Sequence, residues 1–148
     1  IPLIPCREAK HIWTQTRVIE DAVFGRDLTG ANIIVSGGLG MGSRENFKKL
    51  HTLADMLGAA VGASRAAVAA GYAGYAHQVG QTGVSVRPDI YIAFGISGAV
   101  QHLSGISGAK KIYAVNHDPK APIHEYSDFS VIADCTSVLD KLIEKAGS

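Results

Sequence analysis

Ile90-Tyr91-Ile92-Ala93-Phe94-Gly95-Ile96-Ser97-Gly98-Ala99-Val100-Gln101-His102 runs from an unbroken apolar stretch into a glycine turn and then into small and polar residues. A short apolar run without polar alternation, closed by turn residues, reads as a strand buried on both faces. The same pattern recurs at residues 31–35, 59–61, 112–115 and 130–133, so five strands are expected. Helix patterns lie between them. The clearest places Phe47, Leu50, Leu53, Ala54 and Leu57 at helical spacing behind a possible Ser43 N-cap. Further helices are expected to start near Ser64, at Ser97 and at Thr136, the last running through Val138, Leu139, Leu142 and Ile143. Buried strands alternating with helices imply a parallel sheet covered on both faces, a doubly wound α/β sandwich.

The rest of the composition fits that class. At 148 residues the chain has the size of one domain. It is 47% hydrophobic and 18% charged and holds 17 glycines, which suits a tightly packed α/β protein. A formal net charge of +1 gives no field to recruit nucleic acid or an anionic membrane, so partners must be recognised by local shape. No apolar run approaches the roughly 18–20 residues of a membrane span, and the protein is expected to be soluble without membrane insertion. Cys6 and Cys135 sit in no metal-ligand spacing and are expected to form neither a metal site nor a disulfide. Residues 1–30 are the least regular, with Ile1-Pro2-Leu3-Ile4-Pro5, Lys10-His11-Ile12-Trp13 and a turn at Leu28-Thr29-Gly30. They read as a linker or extension before a domain at residues 31–148, and the absence of a leader carries no weight in so linker-like a start.

Polar and glycine residues follow each expected strand, and ligands of open parallel sheets bind outside the carboxyl ends of the strands. After the first strand, Gly37-Gly38-Leu39-Gly40-Met41-Gly42 permits close backbone approach to a ligand or positive φ. Ser43 occupies the third glycine place of the dinucleotide fingerprint and no Gly-Lys-Ser/Thr ending follows, so a plain turn serves as well. Ser64-Arg65 opens a helix of Ala and Val, either a cation set against an apolar wall or a solvated arginine. Gln78-Val79-Gly80-Gln81-Thr82-Gly83 carries the donors and acceptors needed along a heterocycle edge, or is an ordinary surface loop. Ser97-Gly98-Ala99-Val100-Gln101-His102 is a candidate diphosphate site at a helix start, with His102 about a turn in, functional or merely packed. Asn116 and Asp134 end the last strands, within reach of a ribose or adenine; Asp134 serves equally as an N-cap. No paired histidines support a metal, and no nucleophile, acid and base triad is visible.

Taken together, Val35-Ser36-Gly37-Gly38, Val61-Gly62-Ala63-Ser64-Arg65, Val79-Gly80-Gln81-Thr82-Gly83, Gly95-Ile96-Ser97-Gly98-Ala99-Val100-Gln101-His102 and Asn116-His117-Asp118-Pro119 resemble the C-terminal domain of electron-transfer flavoprotein α subunits. The likeness covers roughly residues 30–145, and its specificity lies in the order and spacing of the five blocks. It implies a Rossmann-like FAD-binding domain of an electron carrier with no substrate turnover of its own. It implies that Ser64 and Arg65 contact FAD, the arginine favouring anionic reduced forms of the ring. Val79, Gly80, Gln81 and Thr82 would line the ring, with the threonine hydroxyl toward N5. Ser97, Gly98, Ala99, Val100, Gln101 and His102 would hold the diphosphate, with the histidine toward the pyrimidine carbonyl, and Asn116 and Asp134 would lie near the adenosine. Many members carry Arg where this chain has Leu39.

The resemblance further implies a heterodimer with an electron-transfer flavoprotein β subunit. A flavin dehydrogenase would be the donor, as in fatty acid β-oxidation, and a quinone-linked or other carrier the acceptor. The compartment would be a bacterial or archaeal cytoplasm or the mitochondrial matrix. The competing readings are an NADP-binding oxidoreductase domain, from the glycine loop and Ser64-Arg65, and a scaffold fragment without cofactor.

Overall fold

The computed structural model describes residues 28–146; the Ile1–Pro5 stretch, Cys6 and the Lys10–Trp13 segment lie outside them. Within the described residues the five expected strands form one sheet: β1 (Ile33–Gly37), β2 (Ala60–Ala63), β3 (Ile90–Phe94), β4 (Lys111–Asn116) and β5 (Phe129–Ile132). All pairings are parallel and the order is β2-β1-β3-β4-β5. The chain therefore winds outward from β1 in one direction and then returns to build in the other. The reversal falls between β1 and β3, where the loops leaving the two strands diverge.

Between strands lie α1 (Arg44–Leu57), α2 (Arg65–Ala69), α3 (Val100–Gly105) and α4 (Ile123–Tyr126), with α5 (Cys135–Ala146) after β5. Ser43 caps α1 by accepting a hydrogen bond from the Asn46 amide at 3.1 Å, and Gly58 ends it in the left-handed region. Its stripe of Phe47, Leu50, Leu53 and Ala54 is buried against Val35, Val61 and Phe94, the same face that receives Leu139 of α5. Removing each large side chain of that stripe from water contributes roughly 1.5–3 kcal/mol. The Lys49–Asp140 pair between α1 and α5 is half exposed and adds little beside it. Ile34, Tyr91, Ala93, Ile112 and Ala114 fill the opposite face with Ile106 and Ile123, so both faces of the central strands are covered.

Three expectations require correction. β5 is not buried: all four of its residues are exposed, with Phe129 at 66% and Ile132 at 58%. It is an edge strand, and α5 passes beyond it to pack on α1. The helix expected from Ser97 begins at Val100, because Gly98 takes φ +91° and turns the chain first. Finally, α4 was not expected; its six preceding residues are polar or proline-rich and offer no helical apolar stripe.

The glycine loop has a different reason from the one expected. A Cβ on Gly38 would meet the Gly95 carbonyl oxygen, and one on Gly40 would lie 2.8 Å from the Gly95 Cα. Gly38 and Gly40 donate their amides to Phe94 and Gly95 carbonyls at 2.9 and 3.0 Å. The close approach is thus of one loop backbone to another. Gly38→Ala is expected to destabilise the fold by about 1–3 kcal/mol, since the obstacle is backbone and cannot rotate away. Gly74→Ala, with nothing within 4 Å, is expected to change stability by less than about 0.5 kcal/mol. Urea unfolding of the two variants checks this.

Candidate functional site

A cavity of about 890 Å³ opens where the loops after β1 and β3 part, and loops after β2 and β4 complete its walls. Of the residues singled out in the sequence, Ser64, Arg65, Val79, Gly80, Gln81, Thr82, Ser97, Ala99, Gln101, His102 and Asn116 line it. Gly98, Val100 and Asp134 do not: Gly98 packs its backbone on Ile123, Val100 is 77% exposed, and Asp134 sits at the start of α5. Leu39, which the resemblance marked as a departure, and Ile96, His117 and Asp118, which lie within its blocks but are not among the expected contacts, also line the space.

The loop carrying residues 78–84 is held at both ends. Val79 donates its amide to Ala63 at the end of β2, and Gln81 donates to the Gln101 carbonyl on α3. Gly80, at φ +136°, rests on that helix so closely that a Cβ on Gly105 would lie 2.5 Å from its Cα. The Gln78 amide donates to Thr82 Oγ1 at 2.7 Å, and the Tyr75 hydroxyl donates to the Thr82 carbonyl at 2.5 Å. With its oxygen already accepting from Gln78, the Thr82 hydroxyl retains its proton as a donor on the cavity side.

Charge is arranged sparsely. Ser64 N-caps α2 by accepting from the Ala67 amide at 3.2 Å, which sets Arg65 at the first helical position. Arg65 is exposed, and no ion pair engages it among the described residues. Ala66 and Ala69 beside it supply an apolar wall. Leu39, 54% exposed, faces the same cavity from the glycine loop. Behind that loop, the buried Cys135 thiol lies 3.2 Å from the Gly40 carbonyl and braces it from α5. Burial pushes that thiol above the usual range, so it is a packing group.

His102 is the buried polar group of the site, 6% exposed, with Nε2 at 2.7 Å from the Tyr91 hydroxyl. Burial lowers its pKa to about 4 against a weaker opposing contact with the Val79 backbone. The ring is neutral at physiological pH. Its Nδ1 is buried and makes no hydrogen bond of full geometry. Such a group costs stability unless something meets it, and the Val79 backbone is the group that stands beside it. Asn116 is committed differently: it donates to the Ile96 carbonyl at 3.0 Å and accepts from the Asp118 amide at 2.9 Å, tying the loops after β3 and β4. Asp134 accepts from Thr136 Oγ1 and from the Ser137 hydroxyl and amide, and those bonds hold its carboxyl below the usual range.

The cavity therefore has apolar walls, polar side chains at Thr82 and His102 and, among the described residues that line it, one arginine, Arg65, and one carboxylate, Asp118; its volume is that of a cofactor site. These features fit an aromatic cofactor that bears carbonyl groups and gains negative charge on reduction. The neutral His102 has a consequence for the fold. The unfolded chain binds a proton near pH 6.5 and the folded one only near pH 4, so stability is full above that window and falls as pH drops through it. Between pH 7 and pH 4 this residue alone is expected to remove about 3 kcal/mol. Urea unfolding across that range should show the loss, and His102→Asn should flatten it.

The family model described as the electron transfer flavoprotein FAD-binding domain matches residues 27–107. The chain is 54% identical over 119 residues to the mitochondrial electron transfer flavoprotein subunit alpha of Oryza sativa subsp. indica, covering 80% of this chain and 33% of the relative. It is 51% identical over 128 residues to the Bacillus subtilis subunit alpha, covering 86% and 39%, and 53% identical over 119 residues to that of Paracoccus denitrificans, covering 80% and 39%. The chain thus spans between a third and two fifths of the length of these curated relatives. It belongs to the electron transfer flavoprotein FAD-binding domain family.

Proposed function

We propose that this chain holds FAD in the crevice between β1 and β3, as the FAD-binding domain of an electron-transfer flavoprotein α subunit. In that role it carries electrons from a flavin dehydrogenase to a quinone-linked or other acceptor and turns over no substrate itself. The reading takes residues 31–148 as the domain and 1–30 as a linker or extension. The observation that carries it is the meeting, in one cavity, of Arg65, which no ion pair engages among the described residues, the Thr82 hydroxyl and the buried neutral His102. Bound FAD supplies the redox chemistry.

The protein residues bind and bias it. Arg65 sets a positive charge beside the ring and favours its anionic reduced forms. Thr82, its oxygen occupied by Gln78, donates toward the ring nitrogen N5. His102 donates toward the pyrimidine carbonyl. The turn at Ser97, Gly98 and Ala99 with Val100 and Gln101 takes the diphosphate, where amides at the start of α3 lack intrahelical acceptors. Asn116 and Asp134 belong to the adenosine end, on the strength of the resemblance. Val79, Gly80 and Gln81 pack along the ring, on a loop anchored to β2 and α3.

The partner in this reading is an electron-transfer flavoprotein β subunit. The exposed β5, with Tyr126 beside it, supports a need for covering chains. No helix among the described residues is long and apolar enough to cross a membrane. The relatives include bacterial and mitochondrial proteins, and the same two settings, cytoplasm or mitochondrial matrix, are proposed here.

Equilibrium titration with FAD and with NADP, followed by flavin fluorescence and by calorimetry, is the test. Uptake of FAD in preference to NADP is expected; tight NADP binding without FAD uptake overturns the reading. In the FAD-loaded protein, Arg65→Ala should lower the two-electron midpoint potential by roughly 30 mV, the equivalent of losing about 1.4 kcal/mol from the reduced form. An unchanged potential contradicts the role given to Arg65.

A further inference from the structure

Tyr91 is fully buried in the middle of β3, yet it carries a hydroxyl. That hydroxyl lies 2.7 Å from His102 Nε2, and the two rings are tilted with centroids 5.9 Å apart. In the sheet, Tyr91 is level with Ile34 on β1, so Ser36, two residues further along β1, shares its face. Ser36 is also fully buried, and its hydroxyl makes no hydrogen bond of full geometry. Three polar side chains from β1, β3 and α3 thus lie in sequence under the cavity, sealed from bulk water.

Their protons can be assigned by asking which arrangement aims every donor at a lone pair. Burial raises the Tyr91 pKa, so the phenol keeps its proton, and His102 is neutral with a single ring N–H. If that N–H were on Nε2, it would donate to Tyr91. The phenol proton would then have to turn toward Ser36, the Ser36 proton would be displaced, and a bare Nδ1 lone pair would be left on the side influenced by the Val79 backbone. If instead Tyr91 donates to Nε2, its oxygen is free to accept from Ser36, and the imidazole proton moves to Nδ1. The second arrangement leaves no donor without a lone pair, since the Val79 backbone stands beside the ring.

We propose that Tyr91, seconded by Ser36, is a positioning residue for the cofactor site: its hydroxyl fixes His102 in the tautomer that carries its proton on Nδ1. The face of the imidazole away from Tyr91 is thereby a donor only. His102 lines the cavity, so fixing its ring fixes part of the wall of the site. The part concerning flavin rests on the function proposed above; the tautomer does not.

The test is nitrogen-15 NMR of the chain labelled at histidine, without cofactor, reading ring proton positions from multiple-bond couplings at neutral pH. The expected result is a proton on Nδ1 of His102 in the wild type, and a mixture with the Nε2 form in Tyr91→Phe, with His117 and His124 unchanged. A wild-type His102 protonated on Nε2 overturns the proposal, and this reading requires no variant to fold. An unchanged tautomer in a folded Tyr91→Phe overturns it as well.

With FAD, Tyr91→Phe should bind roughly fivefold to tenfold more weakly than wild type, and Ser36→Ala should fall between them. Equal affinity in Tyr91→Phe and wild type would defeat the positioning role while leaving FAD binding intact. Failure of the wild type to bind FAD would defeat the proposed function, and the tautomer measurement would still decide the role of Tyr91.

Discussion

The contact between the loop after β1 and the loop after β3 is the constraint from which the rest of this domain follows. Gly38, Gly40 and Gly95 bring two backbones together where no side chain fits. The point of contact is also the reversal of strand order. Because the two loops meet at their bases, their outer parts must separate, and the separation is the cavity. Cys135 and Met41 close the contact from behind, linking the last helix to the first loop. The site is thus a by-product of how a doubly wound sheet changes direction, and glycine is used for packing before it is used for binding.

The electrostatics of the cavity are economical. One cation stands at an exposed helix start, while the interior group, His102, is kept neutral by burial. A neutral interior group and a positive charge at the rim together suit a ring that is uncharged when it enters and becomes negative when reduced. The polar loop between β2 and β3 is organised by its own hydrogen bonds, with Gln78 supporting Thr82 and Tyr75 holding the Thr82 carbonyl. Donors held this way lose little freedom when a ligand arrives.

How much of this was legible in the sequence depended on whether a residue's role was local. The strand at Ile90–Phe94 and the stripe of α1 were readable because burial of one element imprints its period on the residues. β5 misled, since an apolar edge strand has the same composition as a buried one and only the topology distinguishes them. The start of α3 misled because Ser97 was read as the start of the helix, whereas the positive φ of Gly98 makes a turn first. At the site, the blocks after β1 to β4 were legible as polar or glycine-rich interruptions. Tyr91 was not, because a tyrosine in an apolar strand reads as core, and its partner lies on another element. Asp134 was readable both ways, and the hydrogen bonds it makes are those of a cap.

The central claim is that FAD occupies this one crevice, against the loop at residues 78–82, Arg65 and His102. Amide chemical-shift mapping of the nitrogen-15-labelled chain during FAD addition tests it most directly. The account predicts perturbations concentrated on Arg65, Gly80, Gln81, Thr82 and His102, with Phe129 and Ile132 on the exposed edge unmoved. Perturbations centred on the edge strand, or spread without a focus, would contradict it.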